Sequence, residues 1–268
     1  MRVPAVLCVL LPVFTGVAVM LLGGASPSRW AVHAAVGVLG LVLYGLLTRS
    51  GRLPEGVQLG GAAVAVALIA ATLLAEGLDG VHRWVGTGPV RIQPSALFAP
   101  VLLMMAARWM AVRPVVTYAL LLIVAGVHLV QPDAGQATAF AAGAVVLLLE
   151  RVSWSRVLVA VAVVAAAAGA WLRPDPLAPG AFVEDIVARA FQLSVVAGIV
   201  AVLSLLVAIG APFVAAGGRT RPAMALSVYL AVAVAVTLVG AFPVPLLGFS
   251  PSVVLGVFLG LAALQGNR

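Results

Sequence analysis

Long apolar runs recur along the whole chain, and short clusters of Arg, Pro, Gly and Asp separate them. Within each run the apolar residues are nearly continuous rather than alternating, which excludes strands with one wet face. The pattern predicts ten helices, over 4–23, 30–48, 57–75, 95–112, 115–130, 134–150, 156–172, 185–214, 223–241 and 249–266. Several lie near the short end of the ~17–25 residues a membrane-spanning helix needs. The fifth and sixth are also compatible with one hairpin dipping part-way through a bilayer. Gly and Ala are frequent inside the runs, as close helix–helix packing in lipid requires.

Composition turns this pattern into a fold class. Of 268 residues, 64% are hydrophobic and 9% charged, too little polar surface for a soluble domain of this length. The expectation is an all-α, polytopic transmembrane helical bundle of about ten helices. Residues 1–268 are read as a single integral membrane domain, because neither an internal repeat nor a low-complexity linker interrupts them. The first run, preceded by Met1 and Arg2, resembles a signal peptide, but it extends to about Leu22 and GGASPS is a poor cleavage site. An uncleaved first helix is expected. Cys8, the lone cysteine, lies within it and reads as a small packed residue.

The formal net charge of +7 comes from arginine alone, with no lysine in the chain. No basic stripe with interleaved aromatics accompanies it, so nucleic acid is not an expected partner. The arginines instead sort by side. With a cytoplasmic N-terminus, alternate connections on that side carry Arg2, Arg49, Arg52, Arg108, Arg113, Arg151, Arg156, Arg219, Arg221 and Arg268. The other side carries Arg29, Arg83, Arg91, Arg173 and Arg189. This asymmetry obeys the positive-inside bias and places both termini in the cytoplasm, in an inner (cytoplasmic) membrane. Residues 79–98, the turn at 131–135 and the loop at 173–180 then share the outer face.

Those three connections hold the candidate chemistry. DGVHRWVGTGPVRIQPSALF, at 79–98, has two readings. It is a solvated loop turned by Gly80, Gly86, Gly88 and Pro89 and anchored by Trp84, or Arg83 and Arg91 present guanidinium groups to a phosphorylated lipid-attached ligand. Asp175, between two prolines in WLRPDPL, is either a turn aspartate or a general base at the membrane boundary. Three scattered histidines and one cysteine make no structural zinc site, and neither a nucleophile elbow nor a phosphate-cradling loop with its lysine occurs.

Taken together the segments resemble the SEDS family (FtsW/RodA/SpoVE type), polytopic glycosyltransferases that polymerise peptidoglycan from lipid II. GVHRWVGTGPVRIQPS at 80–95 matches the family signature at Gly80, Arg83, Trp84, Gly88, Gln93, Pro94 and Ser95. QPDAGQ at 131–136 matches at Gln131, Pro132, Asp133 and Gly135. DPLAPGAF at 175–182 matches the outer-loop aspartate motif at Asp175, Pro176, Leu177 and Gly180. FPVPLLGFS at 242–250 echoes the closing motif weakly, with Pro243, Pro245 and Ser250 as anchors.

The resemblance implies a cell-wall and cell-division or cell-shape membrane protein that polymerises glycan strands from lipid II, or from another undecaprenyl-pyrophosphate-linked substrate. Asp175 would be the catalytic base. Arg83, Trp84, Arg91, Gln93, Gln131, Asp133 and Arg173 would bind substrate. A divalent cation, Mg2+ or Mn2+, is the implied cofactor, with metal ligands unassigned and no organic cofactor. A single-helix transpeptidase is the implied partner, beside membrane lipid. Departures leave a second reading, a non-catalytic relative that binds the precursor or scaffolds cell-wall enzymes. The family's Glu after Q-P-S is Ala96 here, its Lys is Ala99, and about ten residues replace the large outer loop after Asp175. A lipid-linked-sugar transporter is a third reading, for which His33 and His128 are the few ionisable residues within the helices.

Overall fold

A computed structural model describes residues 2–51, 53–86 and 91–266. Eleven α-helices occur among them. They are α1 (Val3–Leu22), α2 (Pro27–Arg49), α3 (Glu55–Ala71), α4 (Pro94–Trp109), α5 (Pro114–Val130), α6 (Ala134–Leu148), α7 (Trp154–Trp171), α8 (Ile186–Leu193), α9 (Val195–Ala216), α10 (Arg221–Ala235) and α11 (Pro251–Gly266). A 3-10 turn extends α3 through Thr72–Leu74, and another extends α10 through Val236–Leu238. The architecture is the expected helical bundle, and the fifth and sixth elements are separate helices.

Six helices among the described residues are long and apolar enough to cross a membrane, while α4, α5, α6 and α11 are shorter. Burial explains three of the short ones. At 1.5 Å per residue, α11 with its 16 residues extends only about 24 Å. Yet α4, α6 and α11 are the most buried helices of the bundle, with Phe140, Phe258, Leu102, Leu103 and Met104 wholly enclosed. A helix surrounded by protein need not match the lipid thickness on its own. The longer α1, α2, α3, α7 and α9 form the outer ring and turn rows of exposed Val and Leu outward.

Small residues set the closest approaches. A Cβ on Gly256 of α11 would run into the carbonyl oxygen of Ala96 on α4, and one on Gly260 would press on Pro100. Packing of α4 on α11 therefore depends on glycine, as is usual where helix backbones meet in lipid.

The continuous helix expected over 185–214 is two helices. Ser194 is fully extended (φ −170°, ψ 157°), ending α8, and its Oγ accepts the Ala197 N–H at 3.0 Å to cap α9. Helix α8 buries Ile186 and Ala190 while Phe191 and Leu193 stay exposed, so it is a short amphipathic segment leading into the apolar α9.

Candidate functional site

Two reciprocal backbone pairings organise the stretch from Leu78 to Ile92. Asp79 and Gly80 both take positive φ (50° and 83°), and Leu78 and Val81 exchange both backbone hydrogen bonds, at 2.8 and 3.0 Å. An Asp-Gly pair is the sequence best suited to that left-handed two-residue turn. Val85 and Ile92 exchange a second reciprocal pair at 2.9 Å. Residues 87–90, including Gly88 and Pro89, lie outside the described residues. Arg83 lies between the two pairings.

Arg83 is buried, 4% exposed, between two aspartates. Its Nη2 pairs with Asp175 Oδ2 at 2.5 Å and also donates to the Pro132 carbonyl, while Nε lies 3.9 Å from Asp133 Oδ1. Nε makes no hydrogen bond among the described residues, an unspent buried donor. Asp133 is almost fully enclosed and caps α6 by accepting the Gln136 N–H at 3.2 Å. Its other oxygen accepts from Gln93 Nε2 at 2.8 Å. Gln93 in turn donates its backbone N–H to Ser252 Oγ of α11 at 2.9 Å. A chain of polar contacts thus joins the starts of α4, α6 and α11 to the loop before α8.

Of these groups Arg83, Gln93, Asp133 and Ser252 line a cavity of about 870 Å³ at one end of the bundle. Arg83, Trp84, Arg91, Gln93, Asp133 and Glu184 supply its polar side, and Leu230, Val236, Phe242, Phe249 and Val253 its apolar side. The segment 242–250, matched so weakly in sequence, forms a wall of it. That wall is fixed by Phe249 N–H to the Phe182 carbonyl (2.8 Å), by Val244 N–H to the Val183 carbonyl (3.2 Å) and by His33 Nε2 against the Leu246 carbonyl (3.1 Å). A groove of similar volume between α1 and α9 is lined almost wholly by apolar side chains and offers no convergent polar groups.

The expected site residues do not all meet. Arg83, Trp84, Gln93 and Asp133 gather at the cavity, and Arg91 reaches it as an exposed side chain. Asp175 stands just outside the lining, attached through Arg83, with its side chain 27% exposed. Gln131 points away. Its Nε2 donates to the Ile69 carbonyl at 2.9 Å and to Thr72 Oγ1, tying α5 to the end of α3. Arg173 is exposed and off the cavity. Sequence reading missed several cavity residues, among them Tyr229, whose hydroxyl donates to Gln136 Oε1 at 2.9 Å, Ser252 and Glu184. Glu184 Oε2 accepts the Gly180 N–H at 2.7 Å. Burial pushes its carboxyl up from the ordinary value, against the pull of that N–H and of the Arg83 charge. The only sequence signal for it was a carboxylate pair directly before an amphipathic helix.

A family model described as cell cycle protein, FTSW_RODA_SPOVE, matches residues 25–178, more than half of the chain. The chain belongs to the FtsW/RodA/SpoVE family. As a SEDS protein it matches a solved aspartate-to-alanine variant of the rod shape determining protein RodA of Thermus thermophilus. That match has 22% identity and a TM-score of 0.71, over 98% of this chain and 95% of that one. Unsubstituted Thermus RodA gives 22% identity and 0.69 over 98% and 94%. A structure described as structural coordination of polymerization and crosslinking by a peptidoglycan synthase complex gives 20% and 0.66 over 97% and 96%. No curated protein matches. The family match ends at residue 178, just past Asp175, so it takes in Arg83, Gln93, Asp133 and Asp175 but stops short of Glu184 and α8 to α11.

Proposed function

We propose that this SEDS protein polymerises glycan strands from lipid II, at a cavity opening on the outer face of the cytoplasmic membrane with both termini in the cytoplasm. The observation that carries the reading is the buried Arg83 guanidinium, held between Asp133 and Asp175 and lining a cavity that both polar and apolar side chains enclose. Such a cavity suits a lipid-linked pyrophosphate, and the unspent Nε of Arg83 is a donor for one of its oxygens. The acceptor sugar hydroxyl attacks the anomeric carbon of the donor as the bond to the pyrophosphate breaks. Arg83, joined by Arg91 at the rim, offsets the charge that departs with the lipid. Trp84, Gln93 and Asp133 shape and orient the site. Asp175 is the family's base position and in this chain also anchors Arg83. Arg173 and Gln131 are left to the loop and to the bundle.

The Mg2+ or Mn2+ ion implied by the family has no three-ligand cage among the described residues, so no step is assigned to it. A single-helix transpeptidase is the proposed partner, supported by the likeness to a peptidoglycan synthase complex. A second reading, a non-catalytic relative, is favoured by one observation. Ala96 and Ala99 are wholly buried in α4, where the family's charged pair would stand.

The test is polymerisation of lipid II by the purified protein in detergent with Mg2+ or Mn2+, beside Asp175→Ala. Polymer from the wild type and none from the variant is expected. Lipid II binding without polymer in the wild type would select the non-catalytic relative.

A further inference from the structure

Polar side chains also converge at the other end of the bundle. There a cavity of about 850 Å³ opens where the start of α3, the end of α4 and the turn into α5 come together. Val112 in its wall is 71% exposed, and Val57 and Val115, close by in the chain, are exposed too. The cavity therefore borders a surface suited to acyl chains.

Two guanidinium groups, of Arg108 and Arg113, line this cavity against one carboxylate, Glu55. Arg113 Nε pairs with Glu55 Oε1 at 2.5 Å. That contact neutralises the carboxylate and leaves both Nη groups of Arg113 uncommitted among the described residues. Arg108 is engaged only through Nη1, 3.5 Å from the Gly266 carbonyl, too long for a strong bond. Trp109, almost fully buried, adds an indole N–H that donates to nothing among the described residues. Gln58 is buried as well, and its Nε2 donates to the Leu53 carbonyl at 2.6 Å, which leaves Oε1 as an acceptor. Helix α3 starts at this rim with no side-chain cap, so the positive end of its dipole faces the same space.

We infer that this cavity holds the headgroup of an anionic phospholipid, with its phosphate on Arg108 and Arg113. Guanidinium forks with free N–H groups match phosphate oxygens, and the Gln58 oxygen accepts from a headgroup hydroxyl. The acyl chains leave over the exposed valines. A basic pocket between helices at the arginine-rich end of a membrane protein favours such a headgroup, whereas a zwitterionic lipid brings its own ammonium toward two cations. The Glu55–Arg113 pair bridges the starts of α3 and α5 but is exposed and contributes little alone. A lipid gripped from both sides fastens α3 to its neighbours. This site is separate from the polymerisation cavity and stands whether or not lipid II is the substrate there.

Dioleoyl phosphatidylglycerol and dioleoyl phosphatidylcholine, added in turn to the purified full chain in detergent, test this by native mass spectrometry and thermal unfolding. The wild type is expected to retain one phosphatidylglycerol in preference to phosphatidylcholine and to melt at a higher temperature with it. Arg108→Gln combined with Arg113→Gln is expected to weaken that binding by ~10–30-fold, the amount two arginines contribute toward an anionic lipid, and to abolish the thermal shift. Arg49→Gln combined with Arg151→Gln removes two exposed cations of the same end that lie off the cavity, and is expected to change neither. Equal retention of the two lipids, or equal losses in the two double variants, overturns the assignment. Inorganic phosphate that displaces the lipid at a similar concentration assigns the cavity to a free anion and overturns the lipid as its occupant. Where the double variant fails to fold, Arg113→Gln alone decides, because its side chain is 42% exposed, and unchanged phosphatidylglycerol affinity in it overturns the site.

Discussion

Arg83 carries more of this site than any other side chain, because it satisfies two carboxylates and a carbonyl from inside the protein. Replacing it with Leu leaves Asp133 buried without its cation, a change that typically costs about 3–5 kcal/mol. Here the loss belongs at the lower end, since Gln93 and the Gln136 N–H still hold Asp133. A lowered melting temperature and loss of lipid II binding are expected, read by thermal unfolding in detergent and by binding on the same sample. Arg83→Lys is expected to restore much of the stability but not the binding, because one ammonium can stand in for Nη2 between Asp175 and Pro132 but has no counterpart of the free Nε. At this scale the sequence was partly legible. Arg83, Gln93, Asp133 and Asp175 stand in three short motifs, and tertiary structure brings them into one network. Glu184, Tyr229 and Ser252 stand in none, since their proximity arises only when the loop before α8, α10 and α11 close on the cavity. Gln131 shows the converse. A motif position beside Asp133 in sequence turns the opposite way, because the chain bends between the end of α5 and the start of α6.

Helices and their boundaries follow from apolar length, which is why the spans were largely visible in advance. The break at Ser194 was not, because a serine within an apolar run can also remain helical by bonding to its own preceding turn. What separates α8 from α9 is a change from an amphipathic to a uniformly apolar surface, a contrast hidden when the run is read as one. The altered α4 motif also belongs at this scale. Where the family has Glu and Lys, Ala96 and Ala99 are buried, and α11 approaches the α4 backbone through Gly256 and Gly260. Ala96→Glu is therefore expected to destabilise the bundle strongly, since an unpaired carboxylate would be buried at 1% exposure. Adding Ala99→Lys is expected to recover only part of the loss, read as melting temperature. Gly256→Val, which drives a branched side chain into the Ala96 carbonyl, is expected to lower it too.

For the molecule as a whole, function depends on which way the cavity faces. One end of the bundle gathers the turn after α1, residues 75–86 and 91–93, the turn before α6, the loop before α8 and the segment 242–250. The opposite end gathers Arg2, Arg49, Arg113, Arg151, Arg219 and Arg221, an excess of cations of the kind that stays in the cytoplasm. The two facts agree with the proposed outward-facing cavity. The single native thiol makes this directly measurable. Cys8 is replaced by Ala, and one cysteine is introduced either at Ala178, exposed at the cavity, or at Val152, 76% exposed in the turn between α6 and α7. A membrane-impermeant maleimide added to intact cells whose outer face is accessible is expected to label the first and to reach the second only after permeabilisation. Labelling in the reverse order would turn Arg83 and its two aspartates toward the cytoplasm. The proposed polymerase would then be facing the wrong compartment, whatever its geometry.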